Sequence, residues 1–369
     1  MQEKLEQLKS ILAEVEDLQK SAALLEWDQQ CYMPEGGSAP RSYQLSTLQS
    51  VAHQKFTSDT VGELLEALEQ AAQDLAPDSN EARLIQVTRR QYDKLTRVPS
   101  PWVAEFFETI GRAYKIWEQA RTEDDFARFE PSLKKIVELR RQYASYFQPY
   151  EHVYDPLLDD FEPGMKTREI QAVFDALRPL QVELVKAISE RPQVDNSFLF
   201  QAFDSQKQWD FGVKVISDFG YDWQHGRLDK AAHPFTINFG RDDVRITTRV
   251  DPNFFNPAFF ATLHECGHAL YEQGSAPELE RTPLAGGASM AIHESQSRMW
   301  ENLVGRSLPF WVHYYPQLQQ AFPQLNAVDL QTFYRGINRV EPSLIRVEAD
   351  EATYNLHIML RLEIEIGLM

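Results

Sequence analysis

Two histidines four residues apart, His264 and His268, have the spacing in this chain that most directly predicts chemistry. On an α-helix, residues i and i+4 lie on one face, so both imidazoles can reach one ion. Glu265 is turned about 100° around the helix from His264, which places it beside the ion instead of on it. Two imidazoles, an open position for water and a carboxylate that takes the water's proton are typical of a zinc hydrolase.

A third ligand is needed, and three nearby residues have suitable side chains. Glu272 is excluded because it would complete a row along about 12 Å of helix, too long to converge on one ion. Cys266 points away from the histidines and is expected to be a small buried residue. Glu294 follows on a second predicted helix and completes the His₂Glu set of thermolysin-like sites. We therefore predict that His264, His268 and Glu294 bind the metal.

The residues around Glu294 are predicted to support it. Ser297, Arg298 and Glu301 share its helix face, and either Ser297 or Arg298 is placed to orient the carboxylate. His293 is rotated off that face, and two roles stay open for it: donation to a tetrahedral intermediate, or structural packing. We count His293 among the candidate substrate-binding residues.

Apolar residues at helical spacing predict helices over most of the chain. The helix with both histidines is predicted at 256–274, with a proline in its first turn and Gly274 at its end. Further helices are predicted at 1–26, from about 41, at 60–75, 80–96, 101–122, 126–148, 167–190 and 197–217, around Glu294, and after Glu351.

The one convincing β pattern lies at 227–250, immediately before the metal helix. Valine, isoleucine, threonine and phenylalanine alternate there with polar residues, and Gly240 to Asp242 supply a turn. This pattern predicts a small antiparallel sheet. We favour a strand edge that binds an extended peptide through backbone hydrogen bonds over a purely structural flap.

The helical pattern continues along the chain without a break in composition and predicts a mainly α-helical protein. We predict one domain over 1–369, with a helical wall at 1–220 and the sheet and metal-site helices at 221–369. A net charge of −18 disfavours nucleic acid and anionic membranes as partners, because both need a basic surface. Two cysteines and the lack of any apolar run long enough for a bilayer predict a cytoplasmic protein.

Five motifs in order resemble the Taq-type thermostable metallocarboxypeptidase family. They are His233-Pro234-Phe235, Asp243-Val244-Arg245-Ile246-Thr247, residues 264–268, His293-Glu294-Ser295-Gln296 and Ile345-Arg346-Val347-Glu348-Ala349-Asp350. The resemblance implies a helical, saddle-like fold with a deep groove and a homodimer. It also implies metal-dependent removal of residues from free peptide C-termini, with broad side-chain tolerance but resistance to C-terminal proline.

The same resemblance implies roles for individual residues. His264, His268 and Glu294 would bind Zn²⁺, for which Co²⁺ can substitute. Glu265 would act as the general base and then as the general acid. Arg245 or Arg346 would bind the substrate's terminal carboxylate, and the sequence gives no way to choose between them. His233, from the first motif, joins His293 as a candidate for substrate binding.

The C-terminal end departs from the family pattern. Residues 365–369 end within a predicted helix, whereas family members continue. We expect the continuation to supply further groove wall and a tyrosine that assists the oxyanion.

Two alternatives to the carboxypeptidase remain open. One is an endo-acting zinc oligopeptidase without a carboxylate-binding arginine. The other is an inactive, truncated metal-binding or dimerising fragment.

Overall fold

The computed structural model describes residues 1–346 and 349–369, so Val347 and Glu348 of the last motif lie outside the described residues. The chain is 69% helical with one small sheet, which confirms the mainly α-helical prediction. The helices are α1 Gln2–Cys31, α2 Ser38–Phe56, α3 Asp59–Ala71, α4 Asn80–Leu95, α5 Ser100–Glu123, α6 Phe126–Ser145, α7 Asp155–Asp159, α8 Thr167–Ser189, α9 Ser205–Asp218, α10 Asn256–Gln273, α11 Met290–Arg298, α12 Leu308–Ala321, α13 Leu330–Ile337 and α14 Glu351–Leu368.

The chain divides into two structural units. The first comprises Met1–Tyr150, Ile237–Arg245 and Tyr271–Ala288, and its core joins α1, α2, α3 and α4. The apolar stripe predicted for α1 is buried there: Leu5, Leu8 and Leu12 are each at most 1% exposed. Helices α1, α2, α5 and α6 pack in that order along this unit. The prediction of a single domain over 1–369 stays a prediction.

The second unit comprises Glu151–Thr236, Ile246–Leu270 and Ser289–Met369. Its core is aromatic: the Phe259 ring on α10 lies 5.2 Å from Phe255, 5.3 Å from Phe211 and 5.4 Å from Trp311. Aromatic pairs of this kind pack more favourably than their buried area alone implies. This cluster fixes the N-terminal half of α10, one turn before the histidines.

Three strands, β1 Gly226–Lys230, β2 Thr236–Asn238 and β3 Val244–Thr248, form a sheet in the order β1-β3-β2. The Thr247 amide donates to Phe235 O (3.0 Å) and the Phe239 amide to Asp243 O (2.9 Å), so β2 and β3 run antiparallel. Gly240 occupies the predicted turn with φ +148°, a conformation that favours glycine. The predicted sheet is confirmed, with β2 at its edge.

Some boundaries differ from the sequence predictions. The helix predicted at 197–217 begins at Ser205, because Asp204 Oδ1 caps it by accepting from the Lys207 amide (2.9 Å). Helices α12 and α13 were not predicted. In the described ranges 1–346 and 349–369, no helix combines the length and apolarity that crossing a membrane requires.

Candidate metal centre

Helices α10 and α11 bring the three predicted ligands together. Glu294 Oε2 lies 3.7 Å from His264 Nε2 and 3.5 Å from His268 Nε2. One ligand atom from each residue falls within 4.8 Å of the other two. Tetrahedral zinc with bonds near 2.0–2.1 Å separates its ligand atoms by roughly 3.3 Å. The three side chains therefore fit a zinc-sized ion with little movement.

The far side of each imidazole is fixed by a hydrogen bond. His264 Nδ1 lies 2.8 Å from Glu301 Oε2, and His268 Nδ1 lies 2.6 Å from His293 Nδ1. A histidine that binds a metal through Nε2 bears its proton on Nδ1, so in the predicted ligand role both rings would donate in these contacts. Burial disfavours a charged His264, but the Glu301 hydrogen bond and the surrounding carboxylates outweigh burial and raise its pKa.

Arg298 connects Glu294, the third predicted ligand, to Glu301. Its Nε donates to Glu294 Oε1 (3.1 Å) and its Nη1 to Glu301 Oε2 (3.3 Å). Burial opposes the ionised Glu294, but the His268 hydrogen bond and the charges of His264 and Arg298 outweigh it and lower the Glu294 pKa to about 2. The carboxylate is therefore ionised near neutral pH, with Oε2 directed at the two imidazoles.

Glu301 lies in a π-helical turn, Met299–Val304, that continues α11. The turn closes with the Gly305 amide donating to Trp300 O (2.9 Å). Such turns insert one extra residue into a helix and are frequent at functional sites. The sequence placed Glu301 on the Glu294 face, and that spacing was the available signal for its role as the partner of His264.

The predicted catalytic carboxylate is buried beside the sheet. Glu265 is 6% exposed, and Thr236 Oγ1 on β2 lies 2.7 Å from its Oε2 and 3.0 Å from its backbone oxygen. Burial raises the pKa of Glu265, while His264 and the Thr236 hydrogen bond oppose that shift. The edge strand therefore fixes the rotamer of this carboxylate. Thr236 was not predicted as a site residue, and its only signal in the sequence was its position directly after the His233-Pro234-Phe235 triplet.

Gly267 lies between the two histidines and sets how closely α10 and α11 approach each other. A Cβ there would lie 2.7 Å from both Gln296 O and Ser297 Cα on α11. Gly305 acts similarly, because its Cβ would meet Leu263 Cδ1 at 2.5 Å. The backbone that positions Glu294 thus packs directly on the metal helix. Neither glycine was predicted from the sequence to matter for the site.

The rejected ligands also have clear positions. Cys266 is fully buried, which raises the pKa of its thiol and confirms it as a small core residue. Glu272 belongs to the first unit and is not part of the three-residue cluster among described residues.

The structure places the two candidate carboxylate-binding arginines in different settings. Arg245, in the first unit, makes two 2.8 Å hydrogen bonds to Asp243 and lies over the rings of Trp27 and Phe239. Arg346, in the second unit, donates through Nη1 to the hydroxyl of Tyr354 (2.6 Å). The roles of both arginines in substrate binding stay predictions.

The remaining candidates lie near the sheet and on α11. His233 is exposed, and its motif is tied to the second motif because the Phe235 amide donates to Thr247 Oγ1 (2.8 Å). His293 contacts the ring of His268, a predicted ligand. For these two residues a substrate role also stays a prediction.

Comparisons with known proteins find members of one family over nearly the whole chain. A family model described as carboxypeptidase Taq (M32) metallopeptidase matches residues 7–369. Thermostable carboxypeptidase 1 of Thermus thermophilus is 42% identical over 356 residues, 94% of this chain and 70% of that protein. Carboxypeptidase 1 of Bacillus subtilis is 38% identical over 357 residues, 96% and 71% of the two chains. A solved M32 carboxypeptidase from Deinococcus radiodurans R1 is similar with a TM-score of 0.89 and 41% identity, over 99% of this chain and 73% of that one.

Proposed function

We infer the function from one premise: this chain belongs to the carboxypeptidase Taq (M32) metallopeptidase family. We propose that it uses Zn²⁺ to remove C-terminal residues from peptides with broad side-chain specificity. Family membership confirms the resemblance and makes the protein a metal-dependent peptide hydrolase. The metal, the ligand set and the breadth of specificity are the proposal. The observation that supports it most is Glu294 Oε2 at 3.5 and 3.7 Å from the two histidine Nε2 atoms.

We propose Glu265 as the proton carrier. Zinc, when bound, would lower the pKa of a coordinated water to about 7 and polarise the scissile carbonyl. Glu265 would accept a proton from the attacking water and pass it to the leaving amine. Burial and the raised pKa suit a carboxylate that is protonated and deprotonated within one turnover. Thr236 keeps Oε2 in one position through both transfers.

For the terminal carboxylate of the substrate we favour Arg346 over Arg245. The guanidinium of Arg245 is already paired with Asp243 through two hydrogen bonds. Arg346 is joined to the metal centre instead, through Tyr354 and Arg298. We retain His233 for substrate binding, and the 2.6 Å contact with His268 favours a structural role for His293.

The edge strand β2 supports the proposal that a peptide binds in an extended form. It lies at the end of the sheet, and its Thr236 touches Glu265. A peptide that pairs with this edge would have its backbone beside the catalytic carboxylate.

A peptide ladder with free or amidated C-termini tests the proposed activity. With zinc or cobalt added, mass spectrometry should show stepwise C-terminal loss from free peptides, none from amidated ones, and none with EDTA. Internal cleavage of both peptides would instead establish an endo-acting oligopeptidase. Zinc binding without release of amino acids would indicate an inactive fragment.

We also propose a cytoplasmic homodimer, supported by the family resemblance and the two-cysteine composition. Size-exclusion chromatography with light scattering should give twice the 42.7 kDa chain mass. A monomer at micromolar concentration would contradict the dimer.

A further inference from the structure

Tyr354, in the first turn of α14, contacts two arginines through different parts of its side chain. Its hydroxyl accepts from Arg346 Nη1 at 2.6 Å. Its ring lies against Arg298, whose Cζ is 3.7 Å from the ring centroid. A guanidinium over an aromatic face is attracted by the ring quadrupole, and its in-plane N–H groups stay available for carboxylates.

Arg298 uses those in-plane groups on the metal centre. It donates to Glu294 Oε1 at 3.1 Å and to Glu301 Oε2 at 3.3 Å. The ring of Tyr354 therefore covers the face of the guanidinium that orients the third ligand. Removing the ring would leave this guanidinium free to tilt away from Glu294.

Arg346 has donors left after its contact with Tyr354. An arginine presents five N–H groups in a planar fork, and the Tyr354 hydroxyl accepts from one of them. The opposite edge of the fork matches a carboxylate bidentately. The contact thus fixes the plane of the guanidinium without blocking that edge.

The start of α14 is itself fixed by Asp350. Its Oδ1 accepts from the amides of Ala352 (2.9 Å) and Thr353 (3.1 Å), and its Oδ2 accepts from the Glu341 amide (3.0 Å). Both sides of the segment with Arg346 are anchored by one carboxylate. Tyr354 therefore lies in a first turn that Asp350 caps.

We propose that Tyr354 is a positioning residue. Its hydroxyl orients Arg346, which binds the substrate carboxylate, and its ring holds Arg298, which orients the metal ligand Glu294. The inference rests on the proposed function, because it takes Arg346 as the group that binds the peptide C-terminus. A tyrosine that only filled space would affect stability and leave substrate and metal affinity unchanged.

Two substitutions separate the two halves of the side chain. Tyr354→Phe keeps the ring and should raise KM for a free peptide about tenfold, the worth of one hydrogen bond to a charged group, with kcat and zinc affinity nearly unchanged. It should raise Ki for a dipeptide product by the same factor and leave Ki for acetohydroxamate, which has no carboxylate, unchanged. Tyr354→Leu should in addition weaken zinc binding about tenfold.

A matched control exists in the first unit. The hydroxyl of Tyr43 accepts from Arg112 Nη2 at 2.8 Å, and Arg112 lies over its ring, so this pair reproduces the chemistry on an exposed surface. Tyr43→Phe should leave KM, both Ki values and zinc affinity unchanged. Circular dichroism should show every variant folded.

Arg346→Ala distinguishes failure of this inference from failure of the proposed function. We expect it to raise KM at least as much as Tyr354→Phe, and the double variant to raise KM no further. If Arg346→Ala leaves KM unchanged, the proposed carboxylate site and this inference are both wrong. If Arg346→Ala raises KM and Tyr354→Phe does not, only the inference about Tyr354 is overturned.

Discussion

Replacing Gly267 by alanine should weaken metal binding more than it weakens the fold. The new Cβ would lie 2.7 Å from Gln296 O and Ser297 Cα, whereas non-bonded carbon atoms pack favourably at about 3.5–4.0 Å. Helix α11 must therefore retreat by about 1 Å. Metal–ligand distances tolerate only about 0.2 Å, so Glu294 would leave the first coordination sphere or bind with strain.

The cost to stability should be small by comparison. Overpacking a buried contact costs about 1–3 kcal/mol, and alanine regains about 1 kcal/mol over glycine within a helix. Loss of ligand geometry should reduce zinc affinity at least as much as loss of a supporting hydrogen bond, about 10–100-fold. The change in zinc affinity should therefore exceed the change in unfolding free energy.

Zinc affinity can be measured by competition with a chromogenic chelator, alongside urea denaturation of the metal-free protein. Gly212→Ala is the matched control, because Gly212 is also a buried helical glycine and its Cβ would meet Thr262 Cγ2 at an ordinary 3.5 Å. The control should bind zinc normally. Normal zinc affinity and turnover in Gly267→Ala would refute the idea that close helix approach sets the site.

Three further outcomes are expected. Glu265→Gln should keep zinc and lower kcat roughly 10²–10⁴-fold, measured by peptide hydrolysis and metal analysis; retained turnover would exclude Glu265 as the base. Thr236→Val removes a hydrogen bond that lowers the Glu265 pKa, so that pKa should rise. Because the base must be ionised, the acidic limb of kcat/KM against pH should move to higher pH, and an unmoved limb would count against the contact. Glu301→Gln should weaken zinc binding about 10–100-fold through His264, and unchanged affinity in chelator competition would show that the partner is dispensable.

Local spacing explains which parts of the site were predictable. His264, Glu265 and His268 lie within one turn and a half of helix, so their relative directions follow from helix geometry. Glu294 required one further step, the match to a known ligand set. The supporting contacts have no such rule: Thr236 and Glu265 are 29 positions apart, and His268 and His293 are 25. Only the fold brings those pairs together.

Helix α12 was not predicted, and its sequence shows why. Phe310, Trp311, Tyr314, Tyr315 and Leu318 are all buried, and Pro316 lies inside the helix. These residues lie on one face at helical spacing, but a proline inside a segment usually ends or kinks a helix, so Pro316 weakens the sequence signal for α12. Gly267 was missed because a glycine inside a helix indicates only a weak helix propensity. Its function, close packing against α11, depends on a second helix that its own sequence neighbours do not reveal.

The π-helical turn Met299–Val304 makes the number of residues between Glu294 and Glu301 as important as the identity of the two carboxylates. Each residue removed from or added to an α-helix rotates everything beyond it by about 100°. A single deletion between Glu294 and Glu301 would turn one of these carboxylates away from the imidazoles, even if every remaining side chain were unchanged. Proteins that share this centre should therefore keep Glu301 and the length of the turn, whereas the other residues of the turn can differ more freely.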